Sequence, residues 1–371
     1  MSFLDILLFI LIISVLIFVH ELGHFILAKL SGVWVQEFSL GMPPKLFTRK
    51  IGNTSYTLGL LPIGGYVKLY GEDEGGEPSS TKTSEGKAFY EISRWKKLAV
   101  LVGGVIMNYL LGILILGFVF ATAGKPSMQL GIQISEVFDQ SAAAEAGIQA
   151  DNYIVGFKTG NEADFRMVED SESFISTIQS NLDKEIVLQL VPNLERSKNE
   201  QPLNPQEIKV IPTDYFEEGK GSLGIKIALA SGTVYENVSW YRVPVETVAE
   251  TGRLVVLMIQ GLGSMVRNLF SGIVPEDIAG PLGVAVITGE VAQEGFIQLL
   301  YFISLISINL AVVNILPLPA LDGGRVFFIL AEMILRRSLD GKFQQWIHTV
   351  GLIVLLILMA VVTVYDYIRF F

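Results

Sequence analysis

Hydrophobic positions along this chain fall into long unbroken runs rather than the alternation of a water-soluble domain. Crossing a hydrocarbon core of about 30 Å takes roughly 20 apolar residues as a helix. Leu98–Gly124, Gly295–Leu321 and Phe343–Tyr365 meet that length, and none contains Asp, Glu, Lys or Arg. A fourth run, from Phe3 to about Leu30, is long enough but is interrupted by His20, Glu21 and His24. No basic segment precedes that run and no small-residue cleavage site follows it, so it is expected to remain as a helix rather than leave as a signal peptide.

Between the runs the pattern changes. "FSLGMPPKLFTRKIGNTSYTLGLLPIGGYVKLYGED" mixes apolar and β-prone residues with the turn pairs Pro43-Pro44, Gly52-Asn53 and Gly64-Gly65. It predicts strands and turns that dip toward the membrane. Open backbone at that depth needs protein or water beside it, so the loop should line a cavity; a surface hairpin is the plainer alternative. From about Lys125 to Ala230, the strand patterns "GIQISEVF", "NYIVGFK", "EIVLQLVP" and "EIKVIPT" alternate with "SAAAEAG" and "SESFISTIQSN", which read as helices. That is a compact α+β module, and its most loop-like part is residues 192–206. Residues 246–271 have too short an uncharged centre for a standard span and predict an amphipathic helix at the interface, with a tilted extra span as the alternative. The resulting division is 1–124, a first membrane half; 125–230, the inserted module; 231–294, a helical linker; and 295–371, a second membrane half.

Composition agrees with a polytopic α-helical membrane protein of about four transmembrane helices: 51% of residues are hydrophobic and 17% charged. The net charge of −10 is uneven, because residues 124–296 hold 12 Lys/Arg against 24 Asp/Glu. An acidic insert of this kind excludes nucleic acid as a natural partner. The loop 31–97 carries nine Lys/Arg, from Lys45 to Lys97, and a short loop after the third run carries Arg325, Arg336, Arg337 and Lys342. By the positive-inside rule both loops face the cytoplasm and the insert lies outside, in a multi-pass protein of the cell membrane.

Chemistry enters with "FVHELGHFILAKL". His20 and His24 lie four apart, one turn above each other on a helix face, and Glu21 is adjacent. Two histidines so spaced can share one ion, and the glutamate can take a proton from water beside it. Satisfied core histidines are the plainer reading, but three polar groups in lipid cost several kcal/mol unless they are used. A tetrahedral zinc site needs a third ligand, and the chain has no cysteine. Asp322, in "NILPLPALDGG", follows a helix break at Pro317 and Pro319 and is the preferred candidate. Asp340, in a second Leu-Asp-Gly, reads as a cap or solvated charge, and His348 as a residue that packs or hydrogen-bonds within the fourth helix. Asn314 is either an interhelical hydrogen-bonding group or a donor to a substrate carbonyl. Asn309 is a weaker candidate, and Asn108 could orient site residues from the second helix. A His/His/carboxylate set favours Zn2+ over magnesium or calcium. A non-catalytic scaffold has no use for Glu21 beside two histidines, and a metal transporter would stagger its ligands across several spans.

These motifs together ("HELGH", "GGVIMN", "NILPLPALDGG" and an insert between spans two and three) resemble the site-2 protease family of intramembrane zinc metalloproteases, in its bacterial envelope-stress branch. The resemblance implies zinc held by His20, His24 and Asp322, Glu21 as general base, Asn314 as a substrate-positioning residue, and a membrane-dipping β loop at residues 41–70. It implies hydrolysis within or next to transmembrane segments of client proteins, such as anti-sigma factors or signal-peptide remnants, from the cytoplasmic side of the bilayer. The insert, through "SEVFDQSAAAEAGIQADNYIVGF", resembles one PDZ domain, a module that can bind a peptide or protein ligand as an added strand. Helices one and three must then pack together to complete the site.

Overall fold

The structure, a computed structural model, describes residues 3–72, 86–160, 162, 164–194, 205–213, 221–271, 280–337 and 339–370. Most of the loop-like stretch 192–206 falls outside these. In chain order the elements are α1 (Phe3–Ser31), β1 (Val35–Ile51), β2 (Thr54–Leu69), α2 (Arg94–Thr122), β3 (Lys125–Val137), α3 (Ala142–Glu145), β4 (Tyr153–Thr159) and β5 (Arg166–Met167). There follow α4 (Ser171–Gln179), β6 (Ile186–Val191), β7 (Gln206–Val210), β8 (Ile225–Glu236), α5 (Val243–Phe270), α6 (Pro281–Glu294), α7 (Phe296–Ile315), α8 (Asp322–Leu335) and α9 (Gly341–Phe370). Two compact units result, one from Met1–Val119 with Pro244–Phe371 and one from Phe120–Val243.

In the first unit α1, α2, α7 and α9 are each long and apolar enough to cross a membrane, as expected of a multi-pass membrane protein. Asp5 in the first turn of α1 and Lys29 in its last complement the helix dipole. α6 packs against α1, α7 and α9 and buries Gly283, Ala285, Thr288 and Gly289. Its first turn has no side-chain cap of its own. Asp366 of α9, fully buried, supplies one by accepting hydrogen bonds from Gly280 N at 3.1 Å and Gly283 N at 2.8 Å.

β1 and β2 are two long antiparallel strands, each bent so that they pair as four. Leu40 faces both Gly65 and Leu58, and Leu58 also faces Phe47. The spatial order is therefore 47–51, 54–58, 35–40 and 65–69, which leaves 65–69 as an edge. Glu37 ties this sheet together: its Oε1 lies 2.6 Å from Lys45 Nζ and accepts from Thr57 Oγ1 at 2.6 Å and Tyr66 OH at 3.0 Å. Burial pushes that carboxyl up, but these partners outweigh it and hold Glu37 below the usual carboxylate range. Gly64-Gly65, expected as a turn, lies inside β2. The glycines serve close approach instead, since a side chain at 65 would meet Glu21 Cγ at 3.3 Å.

Two further expectations are corrected. The third helix stops at Ile315 rather than Leu321, because Pro317 and Pro319 cannot continue it. The basic loop expected after it contains a 14-residue helix, α8, mostly apolar from Val326 to Leu335 and flanked by Arg325, Arg336 and Arg337. α5 is a single helix of 28 residues. It turns Thr247, Glu250 and Thr251 inward and exposes Val245, Val248, Val256, Leu257 and Ile259.

The second unit is a six-stranded antiparallel sheet, ordered β7-β6-β4-β3-β8, with β5 beside β4. Ile132, Ile134, Ile154, Phe157, Phe174, Ile178, Ile186 and Leu188 form its core. The sequence capped both helices legibly: Ser141 Oγ accepts from Ala144 N and Asp170 Oδ1 from Ser173 N. β8 was not expected. It carries the sheet to Glu236, beyond position 230, as an edge strand paired along its length with β3.

Candidate metal centre

α1 places His20 and His24 one turn apart, both buried. The backbone that brings Asp322 to them is not helical. After α7 ends, His348 Nδ1 accepts from Ala320 N at 3.2 Å, and Ala320 has φ +77°, a left-handed conformation that costs a non-glycine residue roughly 1 kcal/mol or more. The segment is clamped from α9, where a side chain at Gly351 would strike Pro319. Asp322 then opens α8, so the contact with α1 is made by the first turn of α8 and not by the third long helix. His348, expected to pack or hydrogen-bond within its own helix, accepts the bond from Ala320 N from outside it. Gly323 and Gly324, both buried, allow the backbones of Ile315, Leu316 and Leu318 to approach.

His20 Nε2 lies 2.9 Å and His24 Nε2 3.2 Å from Asp322 Oδ2, and the two Nε2 atoms are 3.1 Å apart. These three residues form a group able to hold a metal ion. Ligand atoms at about 2.0–2.1 Å from a tetrahedral zinc sit roughly 3.3 Å from one another, so the donor set fits. Gly104 of α2 adds a second sign of fit, because a Cβ there would lie 2.5 Å from His24 Nε2 and 2.7 Å from His20 Nε2. Only glycine leaves that face of the ligand cluster open. His24 is fixed from behind, its Nδ1 lying 2.8 Å from the Val100 carbonyl, the arrangement that turns Nε2 toward an ion. Behind His20 stands Asn108, with Nδ2 3.5 Å from His20 Nδ1.

A cavity of ≈ 440 Å³ opens beside the cluster, lined by Glu21, His24, Asp322, Arg325, His348 and residues 66–69 of β2. One wall is closed by an ion pair between Arg325 and Glu72. The sheet edge 65–69 thus runs along the same cavity as Glu21. Asn314 is half-buried in the last turn of α7 and Asn309 is exposed. Asp340 is exposed and accepts from Lys342 N at 2.9 Å at the start of α9, the capping role expected of it. Sequence reasoning missed Gly104, Ala320 and the Arg325–Glu72 pair. The double glycine before Asn108 was the available signal for the first.

The model of peptidase family M50 matches residues 8–358. A Clostridium acetobutylicum protein named as a candidate zinc metalloprotease is 34% identical, over 99% of this chain and 98% of its own length. One from Clostridium perfringens, named likewise, is 33% identical over 95% of each chain. The zinc metalloprotease RasP of Bacillus licheniformis is 29% identical over 98% of each chain.

Proposed function

Because the chain belongs to peptidase family M50, and is therefore an intramembrane zinc metalloprotease, we propose that His20, His24 and Asp322 hold its zinc and that Glu21 is its general base. The observation that carries this reading is the convergence of three ligand atoms, from residues some 300 positions apart, on one point beside a cavity that Glu21 lines. Zinc at that point supplies Lewis acidity toward a water and a peptide carbonyl.

Glu21 takes the proton of the attacking water and returns it to the departing amide nitrogen, so that no net charge leaves the site. Asn314 orients the substrate by hydrogen bonding to its backbone. Gly65, by lacking a side chain, lets the strand pass close beside Glu21.

A helical client hides its carbonyls, so it must be extended before it is cut. The edge 65–69 offers a strand to pair with, and Glu37 holds that edge through Tyr66. The substrates are then transmembrane segments of other membrane proteins, among them stress-signalling anti-sigma factors or signal-peptide remnants. The loop charges place the site toward the cytoplasm and the second unit outside. That unit reads as PDZ-like. Its edge strand β8 follows a turn with Gly221 at φ +57° and Gly224 at φ +66°, and Ile225 and Ile227 pack on the core that holds Phe174 and Ile178 of α4. A peptide added to β8 would complete the module's usual groove.

The test is Glu21→Gln, with zinc analysis and cleavage of a model transmembrane substrate in proteoliposomes. Loss of about 10²- to 10⁴-fold in rate with metal retained is expected; undiminished cleavage refutes the assignment.

A further inference from the structure

The two histidines are held from behind by different chemistry. His24 Nδ1 meets a backbone carbonyl, Val100 O at 2.8 Å, which can only accept. His20 Nδ1 meets a side-chain amide, Asn108 Nδ2 at 3.5 Å, which presents a donor at one end and an acceptor at the other. Asn108 is almost fully buried, and its Oδ1 has no hydrogen-bond partner among the described residues. A buried acceptor left unpaired is unfavourable and calls for a partner. The α2 backbone here is pinned to α7 by Ser307, whose Oγ donates to the Asn108 carbonyl at 2.7 Å, so the amide stays opposite His20.

A neutral imidazole carries one N–H. Before an ion is taken up, His20 Nε2–H can donate to Asp322 Oδ2 at 2.9 Å while Nδ1 accepts from Asn108 Nδ2. Binding zinc through Nε2 requires the proton on Nδ1 instead, and Nδ1–H needs an acceptor. A half-turn of the Asn108 amide puts Oδ1 there. We propose that Asn108 is a positioning residue for the metal site, an adaptor whose amide serves the Nε2–H form of His20 without metal and the Nδ1–H form with it. This rests on the proposed zinc ligand set.

The experiment uses the full chain in detergent, stripped of metal and reloaded with zinc, with ¹⁵N-labelled histidine observed by NMR and zinc affinity measured by chelator competition. In the unaltered protein His20 is expected to change from the Nε2–H to the Nδ1–H form on zinc loading, while His24 remains Nδ1–H throughout. Asn108→Ala should weaken zinc binding by about 10- to 100-fold, the range typical of lost partners behind a ligand. Asn108→Asp, which keeps an acceptor, should restore it to within a few-fold of the unaltered protein. An unchanged His20 tautomer on loading overturns the proposal, as does an Asn108→Ala protein with undiminished affinity, or an Asp variant as weak as the Ala variant. If Asn108→Ala does not fold, the tautomer measurement on the unaltered protein still decides. His20→Ala separates this from the underlying reading: zinc bound as before in that variant means the ligand set itself is wrong.

Discussion

The two units both bury apolar residues, Leu16, Val100 and Leu116 among those of the first, but differ in the polar groups they bury. The second hides Ile132, Ile154, Phe157, Phe174 and Leu188, and among its described residues Ser222 is the one polar residue buried. The first hides His20, His24, Asn108, Thr251, Thr288, Ser304, Ser307 and Asp366 and exposes much of the apolar surface of α1 and α9, including Leu7, Leu11, Ile353, Val354 and Ile357. Lipid is as apolar as leucine, so the first unit gains nothing by hiding leucine from it. What it must hide are polar groups. Several are answered: Thr251, Thr288 and Ser304 bond to carbonyls of their own helices, Ser307 bonds to the α2 backbone, and Asp366 caps α6. Polar burial thus marks chemistry or helix docking in the first unit. α5 follows this pattern, with Thr247 and Glu250 inward and Val245, Val248 and Val256 outward.

Three substitutions sharpen this contrast. The largest effect is expected at Gly104→Ala, where a methyl would press on both histidine Nε2 atoms. Bound zinc measured by elemental analysis should fall to under about a tenth, a cost out of proportion to a methyl group and set by the polar interior. If the variant keeps its full metal, the close approach of α2 to the ligands is not what shapes the site. Next comes Phe174→Ala in the second unit, which removes a buried ring packed edge-on to Phe157. A loss of about 3–5 kcal/mol is expected, read as earlier urea-induced proteolysis of the insert with zinc content unchanged. Loss of zinc there would mean that the units do not fail separately. Smallest is Ser307→Ala, which deletes a fully buried hydrogen bond between α2 and α7 yet should cost only about 0.6 kcal/mol in a detergent unfolding titration. A loss of several kcal/mol would show that polar burial in the first unit is a source of stability and not merely tolerated.

The same contrast explains what was legible in the sequence. The long helices, His20 with His24, and Asp322 stood out because charge-free runs and a polar interruption of one are strong signals in a membrane chain. The strands β3, β4, β6 and β7 were legible from alternation around small helices. α8 was not, because Arg325, Arg336 and Arg337 around it suggest a loop and its apolar stretch is too short for a span. β8 was missed because "IKIALA" begins after a stretch rich in glycine and charge. The four-strand arrangement of β1 and β2 depends on where each long strand bends, and no local pattern marks that. Gly104 matters for what it lacks, and Ala320 for a backbone angle, so neither carries a side-chain signature.

The distance in sequence between the histidines and Asp322 has a consequence for how the molecule comes into being. On the proposed ligand set, His24 leaves the ribosome almost 300 residues before its third partner. At about 5–20 residues per second, the nascent chain spends roughly 15–60 s with two ligands and a base but no complete site. Two long apolar helices, α2 and α7, can be inserted in that interval beside an enzyme that cannot yet cut either of them.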